Sequence, residues 1–248
     1  MGKLKFFLII SIILTAVLFL FTPTIIPENQ RFQEVLSLSA SKNEVLIIFN
    51  SGGLGHTPLE KASDFSPFID GIEETLDEEG YKPVVVSYNR TKDNFWGEIA
   101  GIKGTFNSFR EQSEDLSLKI KYFLDNNPEN KVIVAGLSQG GTFVDKTMEK
   151  LDEFQGRVLA IEVGVPFWRK KISSDNILRI DNNGKDPIVR GDLKVLIFNL
   201  FKSPVKWILA KFSKSNLTFI DAIHAPGHDY SWSDSENQIV YFLENKMK

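Results

Sequence analysis

The sequence contains no cysteine and only three histidines, His56, His224 and His228. The first absence excludes disulfides and thiolate metal sites. The second leaves too few imidazoles for a histidine-rich metal centre, so no metal is expected. Long repeats and low-complexity runs are also missing. Hydrophobic residues make up 42% of the 248 positions and charged residues 25%, the composition of a globular chain with one sizeable core. No excess of basic residues exists. The formal net charge is −3, and it is more acidic still without Lys3 and Lys5, which does not imply nucleic acid as a partner.

Charge is absent over one long stretch. From Phe6 to Pro27 there are 22 uncharged residues, with prolines only at the far end. At ~1.5 Å per helical residue such a run is long enough to cross a ~30 Å hydrocarbon core. Lys3 and Lys5 before it and Glu28 after it predict an N-terminus inside and the remainder outside. A cleaved signal peptide and an uncleaved signal anchor both fit. The run lacks a small-x-small site close behind it, which favours the anchor, with secretion the outcome if it is cleaved. Three regions are therefore expected: an anchor over 1–27, a polar tether over 28–43 with room for one short helix, and a folded domain over 44–248.

Within that domain, Val132-Ile-Val-Ala135 reads as a short buried strand and Thr142 to Phe154 as a helix. Between them, Gly136-Leu-Ser-Gln-Gly140 fits G-x-S-x-G. A strand, a tight turn with serine at its tip and a helix form the context of a nucleophile elbow, in which Ser138 stands clear of the sheet. The competing reading is a glycine-rich turn cradling a phosphate. Against it, there is no G-x-G-x-x-G, and no Lys-Ser or Lys-Thr pair follows these glycines.

Other apolar runs predict strands at Val45–Phe49, Pro83–Tyr88, Val158–Val163, Asn176–Ile180 and 217–223. Helical periodicity predicts helices over 65–80, 109–126 and 235–246. Residues 89–107 carry several glycines and no clear period, and read as a loop. The alternation of strands and helices predicts an α/β fold with a mostly parallel central sheet flanked by helices. Ligands in such sheets sit beyond the carboxyl ends of strands. Ser138 lies there, as do the glycine loop Asn50-Ser-Gly-Gly-Leu-Gly55 and the pair Asp181 and Asp186. A glycine loop after an early strand lets backbone N–H groups approach an oxyanion, with Gly53 or Leu54 the expected donor.

Taken together, these segments resemble the α/β-hydrolase superfamily from about Val45 to the C-terminus. The likeness rests on the loop at 52–55, the elbow at 136–140, Gly184-Lys-Asp-Pro-Ile-Val189 and Gly227-His-Asp-Tyr230, in the order serine, acid, histidine. It implies Ser138 as nucleophile, Asp186 as acid with Asp181 as runner-up, and His228 as base with His224 as alternative. It also implies Gln139 and either Gly53 or Leu54 as oxyanion donors, and hydrolysis of an ester or related bond without a cofactor. The His-Gly pair common before the oxyanion donor is replaced by Asn50, Ser51 and Gly52. His56 is expected to line the pocket or lie on the surface.

Residues 190–214 interleave Leu, Phe and Trp with lysines. Part of this must be a helix packed between acid and histidine. Its length and basic character also fit a cover for an apolar pocket or a membrane-surface segment, which would make the substrate lipid-like. Two function classes follow: a membrane-anchored serine esterase or lipase with its domain outside the cytoplasm, and a non-catalytic module of the same fold that binds a ligand or partner at the cell surface.

Overall fold

A computed structural model describes residues 26–37, 44–169, 172–195 and 227–247 of the chain. In chain order its elements are helix α1 (Gln30–Ser37), strand β1 (Glu44–Asn50), α2 (Ser66–Glu78), β2 (Lys82–Ser87), α3 (Phe95–Phe106), α4 (Arg110–Asn126), β3 (Lys131–Leu137), α5 (Gln139–Met148), β4 (Val158–Val163), β5 (Ile177–Ile180), the single turn α6 (Pro187–Arg190) and α7 (Trp232–Lys246). The five strands form one parallel sheet in the order β2-β1-β3-β4-β5. This is the α/β architecture with flanking helices that the alternating elements predict. The predicted strand at 217–223, His224 and most of the basic segment at 190–214 lie outside the described residues.

Side-chain alternation along each strand divides the core into two layers. Leu46 and Ile48 of β1, with Val132 and Val134 of β3, pack beneath α1, α4 and α5 through Phe32, Leu116, Ile120 and Phe143. Val45, Ile47 and Phe49, with Ile133 and Ala135, face α2 and α7 through Phe68, Ile69, Ile72, Ile239 and Leu243. Both faces of the parallel sheet are thus covered, which is why its strands read as unbroken apolar runs. Full burial of each such side chain stabilises the fold by about 1.5–3 kcal/mol.

The connections explain where a site must form. From β1 the chain crosses to β2 on one side; from β3 it crosses to β4 on the other. The carboxyl ends of β1 and β3 are neighbours, with Asn50 opposite Gly136. Loops leaving these two ends diverge and open a crevice at the switch point.

Two segments differ from the sequence reading. Residues 89–107 are not a loop throughout: α3 occupies 95–106, and the Asn94 side chain caps it by accepting from the Gly97 N–H at 2.8 Å. Its buried face is Gly97, Ala100, Gly101 and Gly104, while Phe95, Trp96, Ile102 and Phe106 point outward. The small face is demanded by contact. A Cβ on Gly97 would lie 1.9 Å from the Lys92 carbonyl oxygen, and one on Gly101 3.2 Å from Leu54. An apolar-inward template cannot find a helix whose inner stripe is glycine. The expected tether at 28–43 is likewise held at its start. Phe32 is fully buried in α1, and the Asn29 side chain accepts from the Asn89 N–H at 2.8 Å. Of the apolar run at 6–27, only the last two positions are described. Among the described residues no helix is long and apolar enough to cross a membrane.

Below the elbow helix a charged cluster ties three elements together. Arg179 of β5 donates to Glu162 of β4 at 2.8 Å and to Asp145 of α5 at 2.6 Å. Burial pushes the Asp145 carboxyl up, against the pull of the Ile172 N–H and Arg179. Removing one partner of a buried pair is far more costly than the pair itself is worth. Arg179→Met should therefore destabilise the chain by about 3–5 kcal/mol in urea unfolding at neutral pH. The loss should shrink as pH falls, because a protonated carboxyl no longer requires the cation. An equal loss at pH 7 and pH 5 would mean that Arg179 acts through packing alone.

Candidate active site

Ser138 occupies the one-residue junction between β3 and α5, at φ 53° and ψ −111°. That conformation is costly for a residue with a side chain, by about 1–3 kcal/mol, and persists only where surroundings enforce it. They do so here. The Ser138 N–H donates to the Val163 carbonyl at 2.7 Å, and its carbonyl accepts from the Thr142 N–H at 3.0 Å. Gly136 and Gly140 are required by contact. A Cβ on Gly136 would lie 2.5 Å from the Gly140 backbone, and one on Gly140 would lie 2.3 Å from the Asn50 carbonyl oxygen. Gln139, first residue of α5, has a backbone N–H with no acceptor inside the helix.

The acid loop follows β5. Asn182, Asn183 and Gly184 all have positive φ, a left-handed turn suited to Asn and Gly. Asp181 serves this turn by accepting from the Gly184 N–H at 3.2 Å. Asp186 then caps α6, with its Oδ1 accepting from Ile188 at 2.7 Å and Val189 at 3.3 Å, and Pro187 in the first helical position. Its other oxygen, Oδ2, lies 2.6 Å from His228 Nδ1. Asp186 is fully buried. Burial pushes its carboxyl up, but the hydrogen bonds from His228 and Tyr230, the nearby imidazole charge and the Ile188 N–H together hold it below the ordinary aspartate value.

Two residues that sequence reasoning passed over complete this arrangement. Tyr230 also donates its hydroxyl to Asp186 Oδ2. Burial and the adjacent carboxylate push the Tyr230 phenol up, so it remains a donor. Asn182 donates to the carbonyls of Gly227 at 3.0 Å and Asp229 at 3.2 Å, gripping the backbone on both sides of His228. The signals were present as the Asn-Asn-Gly turn and as the tyrosine two residues after histidine, but neither spacing states that the two loops meet. The rings of His228 and Tyr230 lie over Gly164 at the end of β4, where a Cβ would come within 3.1 and 2.8 Å of them.

Ser138 and His228 line one cleft of about 790 Å³, together with Gly52, Gly53, Leu54, His56 and Tyr230. Ser51 Oγ and His56 Nδ1 are buried there without a hydrogen-bond partner among the described residues. His56 Nε2 lies 3.8 Å from Asp93. Among the described residues no group of acidic and imidazole side chains has the arrangement of a metal site. The described cleft therefore offers a strained serine, a histidine backed by a buried carboxylate and unoccupied backbone donors.

The depressed Asp186 carboxyl makes a pH prediction with a definite sign. A carboxyl whose folded pKa lies below its unfolded value of about 3.9 stabilises the fold above that value, and this is lost as pH falls through the folded pKa. Asp186→Asn should consequently flatten the acid limb of a stability-versus-pH curve below about pH 4. A limb as steep as that of the wild type would assign acid lability to other groups.

No family model and no curated protein matches the sequence. Among solved structures the chain is similar to a Trichoderma reesei cutinase in complex with a C11Y4 phosphonate inhibitor, with a TM-score of 0.48 and 14% sequence identity over 96% of this chain and 92% of that chain.

Proposed function

We propose that the chain is a serine hydrolase of the α/β-hydrolase superfamily that cleaves carboxylic esters through Ser138, His228 and Asp186. The observation that carries this reading is the 2.6 Å contact between His228 Nδ1 and the buried Asp186, made in the cleft that holds the strained Ser138. A serine hydroxyl is a poor nucleophile until a base takes its proton. His228 would take it as Ser138 Oγ attacks the ester carbonyl carbon. Asp186 would hold the imidazole tautomer and stabilise the imidazolium. The Gln139 N–H and donors of the 52–54 loop would bind the oxyanion. Collapse breaks the bond to the alcohol, which leaves with the proton from His228, and water then releases the acid from the acyl-enzyme by the same route.

A lipid-like acyl substrate is the finer part of the proposal. Its support is an exposed apolar surface that continues from the helix packed on Leu54. Phe95, Trp96, Ile102 and Phe106 of α3, with Phe167, Trp168 and Leu193, stand exposed. Leu54 of the cleft packs on α3, and Arg169 reaches the Thr105 carbonyl at 2.6 Å, so helix and aromatic pair adjoin. The apolar run at 6–27 fits the same picture as an anchor that keeps the domain at an extracytoplasmic membrane surface.

Fluorophosphonate should label the full-length chain on Ser138, and Ser138→Ala should abolish labelling. Ser138→Ala and His228→Ala should each lower kcat/KM for a chromogenic ester by about 10⁴-fold or more. A longer-chain ester preferred over acetate would support the lipid-like substrate. A well-folded wild-type chain that neither labels nor hydrolyses any ester would replace this reading with a binding module.

A further inference from the structure

The glycine loop of the cleft rests on a buried charge that the hydrolytic scheme does not use. Arg90, just beyond β2, is 1% exposed, and no carboxylate pairs with it among the described residues. Burial of an uncompensated guanidinium is costly and brings its pKa down to about 9. Its cation lies 5.1 Å from the Phe109 ring centre and 5.3 Å from that of Phe143. Its hydrogen bonds go to the loop instead. Nη2 donates to the Ser51 carbonyl at 2.9 Å and to the Gly53 carbonyl at 3.1 Å. The loop curls tightly about it, since a Cβ on Gly55 would fall 2.3 Å from Nε. The next positions extend the grip: the Arg90 N–H donates to Gly55 O at 2.7 Å, and Thr91 Oγ1 to Leu54 O at 2.9 Å.

Peptide geometry turns this grip into an orientation. In a trans peptide, the only kind among the described residues, a carbonyl and the following N–H point in opposite directions. With the carbonyls of Ser51 and Gly53 drawn to Arg90, the N–H groups of Gly52 and Leu54 face away from it. Neither N–H finds an acceptor among the described residues, and both residues line the cleft beside Ser138. The peptide before Gly53 is turned otherwise, because the Gly52 carbonyl accepts from the Gly55 N–H at 3.2 Å. We propose that Arg90 is a positioning residue that fixes the oxyanion loop from behind, presenting the Gly52 and Leu54 N–H groups to the substrate carbonyl. This rests on the hydrolase reading and deepens it, and it selects Leu54 over Gly53 as a donor while adding Gly52.

The test compares Arg90→Met, which keeps the apolar stem but removes the donors, with Arg90→Lys and with Phe109→Leu, which loosens the bed of the guanidinium and leaves its donors. All are assayed on one chromogenic ester well below their Tm. Arg90→Met should lower kcat by about 100-fold with KM changed by less than ~3-fold, because one lost oxyanion donor costs that much in turnover. Its rate of fluorophosphonate labelling should fall in parallel. Arg90→Lys should recover part of kcat, and Phe109→Leu should lower Tm while holding kcat within ~3-fold of wild type. The proposal is overturned if Arg90→Met keeps kcat within ~3-fold, or if both Arg90→Met and Phe109→Leu lose activity only as they lose folded protein. Should Arg90→Met fail to fold, Arg90→Lys decides: a lower kcat at unchanged KM supports the role, and wild-type kcat removes it. A wild-type chain inert to esters and to fluorophosphonate would instead sink the hydrolase reading itself.

Discussion

Two main chains approach each other more closely at the top of the sheet than side chains would allow, and the site depends on that approach. Gly140 of the elbow meets the carbonyls of Asn50 and Ser51, where a single methyl group would already collide. The contact locks the end of β1 to the turn after β3. It holds Ser138 in a backbone conformation that it would otherwise leave, and it sets the glycine loop beside the serine. The strand order makes the approach possible. β1 and β3 are direct neighbours whose connections diverge, so their ends meet over an open crevice.

The charged groups of the site are arranged by the same economy of short loops. Asp186 is fully buried, yet its two oxygens accept from two backbone N–H groups, an imidazole and a phenol. A buried carboxylate with that many donors is stabilised in its ionised form, as its lowered pKa reflects. The consequence for chemistry is a fixed anion behind His228. Arg90 is a second buried charge, a cation that donates through Nη2 to two loop carbonyls and lies beside two aromatic rings, with no acid paired to it among the described residues. Each charge is held by fixed neighbours, and the loops on either side of Ser138 are held with it.

The helix α3 links the cleft to the outer surface. Its glycine stripe brings it against Leu54, and its aromatic stripe is thereby left facing out. Phe95 with Trp96 and Phe167 with Trp168 leave paired aromatic rings in water, apolar area of the kind that contiguous surface patches present to a partner.

The sequence by itself determined the parallel sheet, since unbroken apolar runs such as Val45–Phe49 and Val132–Ala135 must be covered on both faces. It also marked the elbow, because only a turn with glycine at 136 and 140 carries that pattern between strand and helix. The pairing of Asp186 with His228, and the part of Asp181 as a turn-former, were decided by the tertiary structure. Both aspartates follow the same strand, and only the docking of the 182–186 loop on the 227–230 loop separates them. The contacts made by Asn182, Tyr230 and Arg90 could not be read from the sequence for a related reason. Each residue acts through a contact distant in sequence: Asn182 and Tyr230 join loops more than forty residues apart, and Arg90 reaches back to Ser51 and Gly53. The helix α3 was hidden because its inner face is glycine, a pattern that periodicity assigns to loops until a neighbouring backbone is seen to require it.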